Sequence, residues 1–379
     1  MSFLEYNVKS TPTGWRKFLH LNWALAMLLA AVACVGFLML YSVAGGSFDP
    51  WAEQQMQRFV VGFVAMLIIA MVPIWFWRNM SVLAYIVGIV LLVWVEFFGV
   101  TRGGAQRWID LGFMGLQPSE LAKITVVMML AAYYDWLDLG KVSHPLFVAI
   151  PLVLIGLPVG LTFIQPDLGT SLLILMGGGA VMFLAGVHWL YFVTVIAMGI
   201  GAISAVFASR GTGWQLLADY QYGRIDTFLD PSSDPLGDGY HITQSQIALG
   251  SGGWTGRGFM QGTQIQGDFL PESHTDFIFP TLAEEFGFVG GASLLLLYVL
   301  ILVFCIATAM LSRDRYASLM VMGVAVTFFL YFALNMAMVM GLAPVVGVPL
   351  PLVSYGGSAM LVLLAAFGLV QSAHVHRAR

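Results

Sequence analysis

Three short runs gather side chains suited to acid–base and anion chemistry. The first is Pro271-Glu272-Ser273-His274-Thr275-Asp276-Phe277-Ile278-Phe279, where a long polar stretch meets an apolar one. An aspartate at such a boundary is partly desolvated, which raises its pKa and makes it a better base. Thr275 or Asp276 could equally cap the helix that follows. The second is Gln117-Pro118-Ser119-Glu120-Leu121-Ala122-Lys123. Pro118 suits a first helical turn, and Glu120 suits the positive end of the helix dipole. Glu120 and Lys123 are three apart, share a face and can pair. A lysine two turns into an apolar helix is a functional candidate, or a snorkelling side chain neutralised by its neighbour.

The third run is Arg102, Gly103, Gly104, Ala105, Gln106, Arg107 and Trp108, with Arg58 further upstream. Arginine suits phosphate and other paired oxygens, though lipid headgroups compete for the same cations. Gly250–Gly253 and Gly256-Arg257-Gly258 form a glycine-rich patch that also fits ordinary turns. Three prolines in 344–351 cannot belong to a regular span, and irregular backbone is tolerated only outside lipid or lining a cavity. Gln165-Pro166-Asp167-Leu168-Gly169-Thr170 reads as another tight turn. No GxxxxGK[ST], HExxH, CxxC or GxSxG pattern is present.

The elements that must position these residues are membrane helices. Of 379 residues, 59% are apolar and only 9% charged, far from the quarter charged of a soluble domain. The net charge of −4 gives no sign of nucleic-acid binding. Spans of roughly 20 residues are predicted at 22–42, 57–77, 80–100, 117–134, 145–164, 169–186, 188–208, 277–310, 316–341 and 354–373. The fold class is therefore all-α integral membrane, a single polytopic domain of about ten transmembrane helices. The first run, Trp23 to Tyr41, is longer than a signal-peptide core and reads as a retained helix. Cys34 and Cys305 lie in apolar runs and are expected as free, buried thiols.

The positive-inside bias places both termini in the cytoplasm, with Lys9, Arg16, Lys17, Arg78, Lys141, Arg313, Arg315, Arg377 and Arg379 on that side. Residues 209–276, between helices seven and eight, then form a large outer loop carrying three arginines against eight acidic residues. Loops of that length are usually functional. Trp214, Leu217, Tyr220, Ile225 and Phe228 suggest an amphipathic helix at the interface. Residues 277–310 would make a helix of about 50 Å, longer than the membrane is thick. Gly287, Gly290 and Gly291 are expected to interrupt it, leaving a span near 288–310 and keeping Glu284 and Glu285 out of hydrocarbon. Every polar cluster converges on the outer face.

The runs 105–123, 165–170, 230–287 and 341–358 resemble those of the SEDS family (shape, elongation, division, sporulation) of bacterial cell-wall proteins. Ala105-Gln106-Arg107-Trp108, Gln117-Pro118-Ser119-Glu120 and Gly239-Tyr240-His241-Ile242 favour its elongation branch, RodA, over the division branch, FtsW. The resemblance covers nearly the whole chain. It implies a peptidoglycan glycosyltransferase that polymerises lipid II, an undecaprenyl-pyrophosphate-linked disaccharide-pentapeptide, on the outer leaflet of the inner membrane. Asp276 matches the family's essential loop aspartate, Glu120 and Lys123 its helix-four pair, and Arg107 and Trp108 its loop Arg and Trp. Asp276 is expected as the base for the acceptor hydroxyl. Arg107, Lys123, Arg58 and Arg257 are expected to hold pyrophosphate, with His274 and Thr275 beside them. No protein metal site is expected, but a divalent cation, Mg or Mn, could bridge carboxylate and pyrophosphate.

The resemblance also implies a class B penicillin-binding transpeptidase and the rod-shape elongation complex as partners, alongside membrane lipid and no nucleic acid. Met336, Met338 and Met340 offer a soft surface for a partner helix, or for lipid. Two other classes compete: a lipid flippase and a non-catalytic scaffold. A flippase needs polar groups along a path through the membrane, and Asn335 is the main mid-depth polar residue in the sequence.

Overall fold

The computed structural model describes Gly14 and residues 16–102, 105–110, 112, 114–216, 219–230, 237–267, 269–270 and 272–377. Lys9, Gly103, Gly104, Leu217, Asp234, Asp268, Pro271 and Arg379 lie outside the described residues, as do the side chains of Arg102, Tyr220, Arg224, Ile225 and Asp238. After a short α1 (Arg16–Leu19) come α2 (Trp23–Val43), α3 (Ala52–Met71) and α4 (Ile74–Phe98). A small sheet follows: β1 (Val100–Arg102), β2 (Ala105–Asp110) and β3 (Gly115–Leu116). Then come α5 (Pro118–Trp136), α6 (Pro145–Ile164), α7 (Leu168–Leu184) and α8 (Trp189–Ser209). The long loop holds α9 (Asp219–Leu229), α10 (Asp238–Ser251) and α11 (Thr263–Gln266). Three long helices close the chain: α12 (Ile278–Leu311), α13 (Arg315–Val339) and α14 (Gly357–Val375).

Each of the ten predicted spans has its helix. Eight are long and apolar enough to cross a membrane, and α7 is a shorter apolar helix of 17 residues. The tenth, α5, carries Glu120, Lys123 and Asp135. The sheet was not expected. It is antiparallel, with Thr101 opposite Gln106 and Ile109 opposite Leu116. Strands this short offer too few residues for a period-2 pattern to stand out.

The helix ends sort onto two faces. On one, Gln371 and Asn22 exchange side-chain–backbone hydrogen bonds of 2.9 Å in both directions, so the start of α2 sits beside the end of α14. Arg78 of α4 pairs there with Asp314 (2.5 Å) and Asp135 (3.3 Å), and Arg315 donates to the Leu137 carbonyl. These are the cations assigned to the inner side. The opposite face carries the sheet, the long loop and the irregular segment 341–356. Beneath it an aromatic seam ties α12, α13 and α14 together: Phe328 packs edge-on against Tyr298 and Phe367, with centroids 5.4 and 5.3 Å away. The Tyr298 hydroxyl reaches up to the Pro351 carbonyl (2.7 Å), joining core to site face.

The expected break in α12 is at Gly287, whose φ of 65° and ψ of −161° leave the helical region. The glycine-rich patch is the reason. Its turn inserts against the break, and Arg257 and Gly258 N–H donate to the Glu284 and Glu285 carbonyls (2.9 and 3.0 Å). Phe288 and Val289 N–H donate back to Gly253 and Trp254 (2.9 and 3.1 Å). The helical hydrogen bonds lost at the kink are thus replaced from the loop. A Cβ on Gly256 would lie 2.1 Å from the Glu285 carbonyl oxygen, so only glycine lets the backbones meet. Gly290 and Gly291, also expected to interrupt, lie within the regular second half of the helix.

Three smaller expectations change. Both cysteines are free, but only Cys305 is buried; Cys34 is exposed on the bundle's outside. Met336 and Met338 face the core, so Met340 alone of the three offers a surface. Of the amphipathic stretch, α9 forms with Tyr222 buried, while Trp214 precedes it and is exposed.

Candidate active site

The floor of the site is the first turns of α5. Pro118 sits at the first helical position and Glu120 in the first turn. Lys123 Nζ donates to Glu120 Oε1 at 2.7 Å, and both side chains are almost wholly buried. Tyr331 of α13 completes the group. Its hydroxyl bonds both Glu120 Oε2 and Lys123 Nζ, and its ring lies 4.1 Å beneath the ammonium. Two buried charges are tolerable here because each is paired and hydrogen-bonded.

Asp276 stands over this floor. It does not cap α12: Phe277 holds the cap position and no side chain bonds the first turn. Thr275 does not cap it either, since its hydroxyl donates to Glu272 (2.8 Å to Oε2). Among the described residues none donates to the Asp276 carboxylate. Burial, then the charges of Glu272 and Asp167, push its carboxyl up to about 6. That is the environment of a base poised near neutral pH. Gly347, with a φ of 65°, passes close: a Cβ there would lie 3.5 Å from Asp276 Oδ2. Glu272 also holds a left-handed backbone at φ 53°, a strain concentrated at functional segments.

Arg107 forms one wall. Nε donates to the Gln165 carbonyl (2.8 Å) and Nη2 to the Pro166 carbonyl (2.5 Å), which fixes the guanidinium against the 165–167 turn. Asp167 ends that turn as the N-cap of α7, accepting from Thr170 N–H (3.1 Å) and from Gln117 Nε2 (3.0 Å). The opposite wall is the start of α14, whose first N–H groups have no side-chain cap. Together these residues line one cavity of about 350 Å³ that holds Arg107, Trp108, Glu120, Lys123, Thr275 and Asp276.

Three expected residues lie elsewhere. Arg58 is at the rim: its guanidinium sits 4.8 Å over the Tyr355 ring and beside Gly357, with Nη1 buried and unpartnered. His274 points away and stacks on Trp51 at 4.4 Å; burial lowers its pKa, so it is a neutral packing group. Arg257 is remote from the cavity, held in the glycine loop with Nε 3.8 Å from Glu284. Tyr331, Gln117, Asp167, Asn335 and Ser354 were not singled out as site residues. Asn335 is not on a polar path through the membrane: its Nδ2 is taken by the carbonyls of Asp276 (2.8 Å) and Val348 (2.7 Å).

A buried base facing a fixed arginine and an ion-paired lysine can deprotonate an alcohol beside an anionic leaving group. The profile of the cell cycle protein family FtsW/RodA/SpoVE matches residues 20–379. The chain belongs to this family. Among relatives of this FtsW/RodA/SpoVE protein, the peptidoglycan glycosyltransferase MrdB of Escherichia coli (strain K12) is 42% identical over 367 residues, 96% of each chain. The stage V sporulation protein E of Bacillus subtilis (strain 168) is 33% identical over 355 residues, 91% of this chain and 94% of the relative. A solved chain described under "Structural coordination of polymerization and crosslinking by a peptidoglycan synthase complex" superposes with a TM-score of 0.80 at 31% identity, covering 93% of this chain and 97% of that one. The rod shape determining protein RodA of Thermus thermophilus gives 0.71 at 27% identity, covering 95% and 98%.

Proposed function

We propose that this chain is a peptidoglycan glycosyltransferase that extends glycan strands from lipid II during cell elongation, with Asp276 as its general base. The Asp276 carboxylate takes the proton of the acceptor sugar's 4-hydroxyl. That oxygen attacks the donor's anomeric carbon, the carbon–oxygen bond to the diphosphate breaks, and the charge departs with the polyprenyl diphosphate. Arg107 receives that charge, with Nη1 still without a protein partner among the described residues, helped by Arg58 and the uncapped N-terminus of α14. Lys123, held by Glu120 and Tyr331, offers its ammonium N–H groups at the floor. The observation that carries the reading is the Asp276 carboxylate, without a donor among the described residues, in the same cavity as Arg107 and Lys123.

Among the described residues no three His, Cys, Asp or Glu side chains are placed to hold a metal, and Asp167 is already committed to hydrogen bonds. No step is routed through a resident cation. A divalent ion would enter with the diphosphate. We place the site face outside the inner (plasma) membrane and both termini in the cytoplasm, from the cations of the opposite face. We also propose a class B penicillin-binding transpeptidase of the elongation complex as partner, since the solved relative belongs to a complex that couples polymerization to crosslinking.

The test is polymerisation of fluorescent lipid II by purified protein with its transpeptidase, wild type against Asp276→Asn and Arg107→Ala. Glycan strands from wild type alone, with both variants folded, are expected. Normal strands from Asp276→Asn would overturn the base assignment. Wild type that makes no strands but moves lipid II across liposomes would replace the enzyme with a flippase.

A further inference from the structure

The aspartate's backbone is held in an unusual way. Three consecutive carbonyls, those of His274, Thr275 and Asp276, each accept from a donor outside their own segment. Tyr355 N–H donates to His274 (2.8 Å), the Ser354 hydroxyl to Thr275 (2.5 Å) and Asn335 Nδ2 to Asp276 (2.8 Å). The last is required by sequence. In a helix the Asp276 carbonyl would accept from residue 280, but Pro280 has no N–H to give. A carbonyl so orphaned must find another donor.

The donors are themselves fixed. Asn335 uses the same amide nitrogen on the Val348 carbonyl (2.7 Å) and is fully buried. The Ser354 hydroxyl accepts from Leu350 N–H (2.8 Å), and the Ser354 carbonyl accepts from Gln55 Nε2 (2.8 Å), also fully buried. The stretch before α12 is therefore anchored through α13, α3 and the 341–356 segment, while the Asp276 side chain has no donor among the described residues.

We infer that Asn335 and Ser354 are positioning residues that hold the Asp276 carboxylate in its reactive place through the peptide carbonyls of 275 and 276. This rests on reading Asp276 as the base. Neither residue is needed to bind substrate, since Asn335 does not line the cavity and Ser354 lies behind Thr275. Both act on the aspartate's place and surroundings. A misplacement of about 1 Å in such a group costs on the order of 10²-fold in rate.

The test measures kcat, KM for lipid II and the pH dependence of kcat for Asn335→Leu and Ser354→Ala, with Asp276→Asn alongside. Among the described residues, the charged and titratable groups that line the cavity with Asp276 are Glu272 of its own segment, Asp167 before α7, Arg107 of β2, Glu120 and Lys123 of α5, Tyr331 of α13 and Tyr355; both variants leave all of them unsubstituted. Each variant is expected to lower kcat by roughly tenfold or more, with KM within about twofold. The acid limb should move to lower pH as the loosened carboxylate regains water. A merely structural role would reduce the folded fraction and leave the limb where it is, and that result overturns the inference. So does wild-type kcat in both variants while Asp276→Asn is inactive, in which case the base assignment stands. An active Asp276→Asn overturns the base assignment and the inference with it. If Asn335→Leu does not fold, Ser354→Ala, a single hydroxyl deletion, carries the test alone.

Discussion

Replacing Lys123 with methionine keeps most of the side chain's reach and removes its charge, and replacing Glu120 with glutamine does the same for its partner. At the observed 2.7 Å, and with an effective dielectric of about 20, the pair's gross attraction is about 6 kcal/mol. Desolvating two ions costs several kcal/mol each, so the net value of the intact pair is small, but breaking it from one side leaves a lone buried charge worth about 3–5 kcal/mol. Each single variant should therefore be strongly destabilised. The double variant should be destabilised by less than the sum, with a coupling of about 2 kcal/mol or more. Reversible denaturant unfolding of the four proteins in bicelles reads this cycle directly. Tyr331 is present throughout and can still bond whichever partner remains, which limits the single losses but not the sign of the coupling. Additivity to within about 0.5 kcal/mol would refute the argument, because it would mean that neither charge depends on the other.

Three further outcomes follow from the site. Turnover should fall as pH drops through about 6, by roughly tenfold between pH 7 and pH 5, because Asp276 must be ionised to accept a proton; Glu272→Gln removes a neighbouring negative charge and should move that limb downward in a pH–rate profile. Arg107→Lys loses the forked contact that spans two carbonyls and should cut kcat/KM on the order of tenfold, seen in steady-state polymerisation. Gly256→Val, at φ 80° and against the Glu285 carbonyl, should destabilise by at least about 2 kcal/mol and expose the 250–264 loop to protease.

The membrane architecture was legible because a span is a composition signal, local and some 20 residues long. Asp276, Glu120, Lys123 and Arg107 were legible for a related reason: an ionisable residue set against an apolar run stands out wherever it occurs. Tyr331, Asn335 and Ser354 were not, because a tyrosine, asparagine or serine in a helix or loop says nothing until its partner is known. Those partners lie 208, 59 and 79 residues away. Arg257 misled for the converse reason. It is a cation on the right face, but its glycine loop belongs to the kink of α12 and Glu284 sits beside it. One signal for Asn335 was present, since Pro280 leaves the Asp276 carbonyl without a helical donor. Which residue would answer that vacancy is a question of folding, not of spacing.

The cavity draws on residues from Arg107 to Ala359, and the contributors latest in the chain open α14. A chain emerging from the ribosome therefore inserts α13 and the helices before it before the site can exist. Until α14 arrives, Arg107, Lys123 and Asp276 face a gap where Gly356, Gly357 and Ser358 will stand. Synthesis order thus acts as a safeguard: a nascent or truncated chain that has already displayed its long loop still lacks the wall on which a diphosphate would rest. Activity should appear all at once, with α14, rather than grow with chain length.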